Sequence, residues 1–209
     1  ESGSKSIIAF ASSNSASLSS SSAENDIFGI KKIYPTKSGG REWFIDMNDP
    51  RSDGIFFITS DRNITRQEDG SWRVNNTNVR LNVDTSPNMA PWRDVEITGY
   101  AKIVGKVPIE GNSRVVTDDF DLNWLARGGR HSTEHPCEGS ALIAILDING
   151  TVAWKKEIWF SGATGYGYAD ERDRSKVLFD PLLNRWIGFK AIMYNINNNT
   201  NVKMESYID

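Results

Sequence analysis

Residues 185–196 read RWIGFKAIMYNI. The odd positions Ile187, Phe189, Ala191 and Met193 are apolar, while Trp186, Lys190 and Tyr194 alternate with them around Gly188. A repeat of two places the first set on one face of a strand and the second set on the other. One face is built for a core. The other carries an aromatic ring, an ammonium and a phenol.

The same alternation recurs outward from this run. It is present in REWFIDM (41–47), GIFFITS (54–60), NVRLNV (78–83), DVEITGYAKIV (94–104), FDLNWLA (120–126), ALIAILDI (141–148), TVAWKKEIWF (151–160) and NVKMESYI (201–208). Gly, Asn, Asp and Pro clusters separate these runs, as strand punctuation requires. Asn149-Gly150 predicts a hairpin with a two-residue loop. Only residues 171–183 are left open to a short helix. Many strands without crossover helices predict an all-β fold, an antiparallel sandwich or barrel.

Length fits one large domain, or one domain with an appended tail. Of 209 residues, 38% are hydrophobic and 24% charged, a globular balance. A net charge of −3 gives no footprint for nucleic acid. No apolar run approaches the roughly 20 residues of a membrane helix. Cys137 is the single cysteine, so it packs in the fold or pairs with a cysteine outside this sequence. Sequons occur at Asn63, Asn75, Asn149 and Asn198, consistent with a glycoprotein but also within what chance supplies.

Residues 1–25 form the tail, and 26–209 the main body. Positions 11–23 (ASSNSASLSSSSA) hold eight serines, the composition of a linker. Ahead of them, Ile7–Phe10 is a short β-prone stretch. It reads either as a free tail or as a strand added to a sheet edge, its own or a neighbour's, which would be a route to self-association.

The polar faces carry more than solvating residues. In 94–104 the face opposite Val95, Ile97 and Ile103 holds Asp94, Glu96, Tyr100 and Lys102; Arg80 lies opposite Leu81, and Lys155 and Glu157 share a face with Trp159. Aromatic faces stack on the apolar faces of sugar rings, and charged groups fix hydroxyls or carboxylates. Trp186, Glu96, Tyr100, Arg80 and Trp159 are therefore candidate contacts for a polysaccharide or other glycan, with Gly188 leaving space for a ring. The loops 127–140 and 160–174 would border such a groove.

GFKAIMYNI (188–196) resembles the Y-F-K-A-G-x-Y-N-Q strand of jelly-roll alginate lyases: Phe189, Lys190, Ala191, Tyr194 and Asn195 match, and Ile196 replaces the final Gln. Over residues 28–208, the stretches DVEITGY, ARGGRHS, PCEGSA, GTVAWKKEIWF and RWIGFKAIMYN together resemble extracellular concanavalin A-like lectin/glucanase domains. The resemblance implies an extracellular or cell-surface jelly roll whose strands run on past Asp209, and it makes Tyr194 the proton donor or acceptor at a cleaved glycosidic bond. The lyases' R-S-E-L-R strand has only the partial counterparts Gly40–Phe44 and Arg93–Ile97. Their Q-[IV]-H strand has none.

β-Elimination on a uronate needs a cation for the carboxylate, a base for the C5 proton and an acid for the leaving oxygen. Arg80, Arg127 or Lys190 can supply the first, His131 the second and Tyr194 the third. Hydrolysis would need two carboxylates on one face; Asp94 and Glu96 have that spacing, but the glucanases' E-x-D-x-x-E strand is absent. No cofactor is required by this chemistry. The Asp46–Gly54 loop offers Asp46, Asn48, Asp49 and Asp53 as oxygen ligands for Ca²⁺, without EF-hand spacing. Besides a lyase, two further classes fit: a non-catalytic sugar-binding module, and a structural surface or filament subunit assembled by strand addition.

Overall fold

The computed structural model describes residues 5–10, 24–25, 31–34, 40, 42, 45, 48–52, 56–59, 64–75, 80–83, 93–107, 121–128, 133–136, 140–161, 165–168, 173–174, 177 and 182–209. In chain order its strands are β1 (Lys5–Phe10), β2 (Phe56–Ile58), β3 (Ile64–Arg66), β4 (Trp72–Asn75), β5 (Leu81–Val83), β6 (Val95–Val107) and β7 (Asp121–Ala126). They continue with β8 (Leu142–Asp147), β9 (Val152–Ser161), β10 (Gly165–Tyr168), β11 (Asp173–Arg174), β12 (Trp186–Ile196) and β13 (Asn201–Ile208). The expected run REWFIDM lies largely outside the described residues. No helix longer than the single 3-10 turn Pro50–Ser52 occurs among them.

A six-stranded sheet has the order β13-β12-β6-β1-β4-β3; a second holds β10-β9-β8-β7 with β11 also on β9; β2 and β5 form a separate ribbon. Every strand pairing among the described residues is antiparallel. The chain is therefore predominantly β. Of the segment left open to a helix, 171–183, only 173–174, 177 and 182–183 are described, and Asp173–Arg174 form β11, which pairs with Trp154 and Ala153 of β9. Its extended form is set by that partner strand and not by local periodicity.

The alternation in β12 falls as its residues dictate. Ile187, Phe189, Ala191 and Met193 are buried in one core with Val95, Ala101 and Ile103 of β6, Leu122 of β7, Leu142, Ala144 and Leu146 of β8 and Val152 of β9. The two larger sheets thus share a single apolar layer, a sandwich-like arrangement. Across the second sheet, Trp124, Ala144 and Trp154 lie side by side in register. The small Ala144 leaves room for the two indoles: Trp124 packs on Phe189 with ring centroids 4.7 Å apart, and Trp154 donates its indole N–H to Ser206 Oγ at 3.1 Å. β8 is buried on both faces, with Ile143 and Ile145 in a smaller cluster on its far side.

Two hairpins use one turn device. Asp69-Gly70-Ser71 closes β3–β4 and Asn149-Gly150-Thr151 closes β8–β9. In each, glycine takes a positive φ (83° and 88°), and the preceding Asp or Asn side chain accepts from the N–H and hydroxyl two residues on. The loop between β8 and β9 has three residues, because Asp147 pairs with Thr151 and Gly150 donates to Asp147 O. Only Gly150 adopts the left-handed conformation there, so the two-residue turn expected from Asn149-Gly150 gives way to a type I turn with a bulge.

Candidate functional site

The register of β6, β12 and β13 converts three linear patterns into one surface. On the face away from the core, β12 is flanked by β6 on one side and β13 on the other. Tyr194 sits beside Lys203; Ile192 lies between Glu96 and Glu205; Lys190 lies between Thr98 and Tyr207; Gly188 faces Tyr100; Trp186 faces Lys102. Period-two alternation in each strand guarantees that these side chains share a face once the register is set.

Two acid–base pairs stand on this face. Lys190 donates to Glu96, and both are enclosed: their side chains are 3% and 17% exposed. Backbone N–H groups of Ile33 and Tyr34 donate to the two Glu96 oxygens at 3.2 and 3.1 Å. Residues 33–34 therefore strap across the sheet and complete the carboxylate's shell. Tyr34 reaches onward over Ile192, and its phenol hydrogen-bonds Glu205 at 3.2 Å and the Tyr194 hydroxyl at 3.2 Å. Ile192 is buried at this crossing.

Glu205 anchors the second pair. It accepts from Lys203 Nζ at 2.5 Å, from Tyr194 at 3.1 Å, from Tyr34 and from Tyr207 at 3.2 Å. Charge-assisted donors favour the ionised form, so the Lys203 hydrogen bond, with the phenols behind it and partial burial opposing, holds the Glu205 carboxyl below its usual range. Lys203 is pushed up, first by its hydrogen bond to Glu205. The Tyr34 phenol is pushed up, first by its bond to Tyr194. Burial and then the Glu205 charge raise Tyr207. The rings of Tyr34 and Tyr194 lie 5.2 Å apart and tilted, while Tyr34 and Tyr207 remain 45% and 41% exposed. The result is an open ridge of three phenols around one carboxylate.

The other expected contacts fall in different places. Trp186 shares the face but sits under Lys102, whose ammonium is 5.0 Å from its ring centroid. The space at Gly188 is filled: a Cβ there would meet the Tyr100 ring at 2.9 Å and Asp209 at 3.1 Å, and Tyr100 donates to Asp209 Oδ2 at 2.8 Å. Trp186, Lys190 and Tyr194 thus do not line a continuous open floor. Trp159 lies on the other large sheet, opposite Gly167. Arg80 extends the β2–β5 ribbon through Thr59.

Arg127 follows β7 with φ of 57°. It donates to Asn195 Oδ1 at 2.6 Å and lies 3.6 Å from Asp94 Oδ1. Burial lowers its pKa, with Asp94 opposing. Asn195 has the core-facing parity of β12, so Arg127 approaches the strand from the side opposite Tyr194. His131 and Cys137 lie outside the described residues.

In the acidic loop, Asp46 and Asp53 also lie outside them. Asn48 accepts from the Arg66 guanidinium through its backbone and side-chain oxygens, and Asp49 O caps Ser52. No group of three His, Cys, Asp or Glu side chains is placed to hold a metal ion among the described residues.

Sequence reasoning did not single out Tyr34, Lys203, Glu205 or Tyr207. The signal for the last three was present: they occupy one parity of NVKMESYI, the parity that a hairpin through Asn197–Asn199 sets beside Lys190 and Tyr194. Tyr34 had no such signal, since its place depends on a strap with no periodicity. No protein-family model matches this chain, and no curated protein and no solved structure matches it.

Proposed function

We propose that the protein is an extracellular carbohydrate-interacting β-sandwich of concanavalin A-like character, and that it acts by binding a glycan on the tyrosine ridge of β12 and β13. The observation that carries this reading is the convergence of Tyr34, Tyr194 and Tyr207 on Glu205, with two of the rings open to solvent. Phenol faces offer stacking area, and the fixed carboxylate and ammonium offer hydrogen bonds to sugar hydroxyls. A binding role is favoured over a lyase role by where the cations go. Lys190 is committed to Glu96, and Arg127 to Asp94 and Asn195, while Lys203, the cation that does stand beside Tyr194, is held by Glu205.

Affinity electrophoresis across neutral and uronate-containing polysaccharides tests this. At least one polymer should retard the wild type, and Tyr207→Ala should weaken that binding by about 1–3 kcal/mol, the value of a lost apolar contact. Equal retardation of wild type and variant, or no retardation by any polymer, overturns the reading. Growth of the unsaturated-uronate absorbance, abolished by Tyr194→Phe with binding retained, would replace it with the lyase.

A further inference from the structure

β1 precedes every other strand in sequence, yet it takes an interior place in its sheet. It lies between β6 and β4 and is antiparallel to both, Ser6 opposite Lys106 and Ile8 opposite Val74. Among the described residues it provides the only ladder between the β3–β4 hairpin and the rest of the six-stranded sheet. Ile64, Trp72 and Val74 of that hairpin form a cluster of their own, apart from the main core. Removing β1 would divide the sheet and bare two edges, each a row of unpaired donors and acceptors.

The sequence joining β1 to Glu24 is ASSNSASLSSSSA, in which Leu18 is the only large apolar residue. Thirteen residues extend to at most about 45 Å, enough to reach a neighbouring molecule. An element at the end of such a connection makes the same hydrogen bonds in any copy of its own slot, so exchange between copies costs no contact within the sheet.

We propose that β1 is an exchangeable strand: the slot between β4 and β6 takes the Lys5–Phe10 segment of a second copy of this chain. Reciprocal exchange gives a closed dimer, and one-way exchange gives a chain of linked copies. The inference uses neither the tyrosine ridge nor any glycan.

Opposed Cα atoms in an antiparallel pair lie within disulfide range. In a Cys137→Ser background, full-length Ser6→Cys and Lys106→Cys chains carrying tags of different length are unfolded together and refolded at high concentration under oxidising conditions. Exchange produces a covalent heterodimer at twice the monomer mass on non-reducing electrophoresis. It also produces far less heterodimer when Ser6→Cys is paired with Asn198→Cys, on the exposed hairpin between β12 and β13. The Ser6→Cys/Lys106→Cys double variant, refolded dilute, should close within one chain. Heterodimer no greater than the Asn198→Cys control overturns the proposal, as does a double variant that fails to close.

Discussion

The pairs Lys190–Glu96 and Lys203–Glu205 contain the same two chemical groups on one face of one sheet, yet they stand in different physical regimes. The first is enclosed by the strap of Ile33 and Tyr34, with the ammonium almost without solvent. In the second, the Lys203 side chain is 51% exposed and only the carboxylate is sheltered. Burial raises both the attraction between charges and the cost of removing them from water. The enclosed pair therefore acts as a structural fastener that holds residues 33–34 to β6. The open pair sets the orientation and ionisation of the surrounding phenols at little cost to the fold.

Deleting one partner of the enclosed pair should have the largest effect. Glu96→Ala strips Lys190 of its carboxylate and the strap of its acceptor, and should cost about 3–5 kcal/mol in chemical denaturation. The combined Glu96→Leu/Lys190→Met variant should recover most of that loss, because no charge is then left in the enclosed site. A loss under about 1 kcal/mol for Glu96→Ala, the value of an exposed pair, would erase the distinction between the two.

The open pair is sharpened by acid. The Glu205 carboxyl is depressed in the folded state, so its contribution is present above the unfolded carboxylate pKa and disappears as pH falls through the lower, folded value. Glu205→Gln should flatten that part of the acid limb in stability measured against pH, while leaving Tyr34 in place through Tyr194. An unchanged acid limb would show that Glu205 gains nothing from its four donors.

The smallest effect is expected at Lys203. Lys203→Ala should leave the melting temperature near that of wild type, and the difference should vanish in high salt, as exposed pairs are screened. A marked drop that persists in high salt would place Lys203 with the enclosed pair.

Much of the sheet was readable from residue order. The apolar parity of β6 and β12 predicted the inward faces because a two-residue repeat has only two solutions and one of them exposes Phe189 and Met193. β3 and β4 were missed since ITRQ and SWRV are short and their burial depends on a partner strand; the shared Asp-Gly-Ser and Asn-Gly-Thr turns were the available clue. The site was legible by half. Glu96, Lys190 and Tyr194 were named from their strands, but their enclosure was not, and the ring space imagined at Gly188 is occupied by Tyr100.

Residue order alone determined that this chain is mostly strands and which side of β6 and β12 is apolar, because both follow from local periodicity and turn chemistry. Tertiary structure decided the rest. Strand register brought Glu205 and Tyr207 beside Tyr194, a strap of no periodicity enclosed one lysine and left another open, and β1 took an interior position in its sheet. These depend on which distant segments meet, and contacts between distant segments leave no fixed spacing in a sequence.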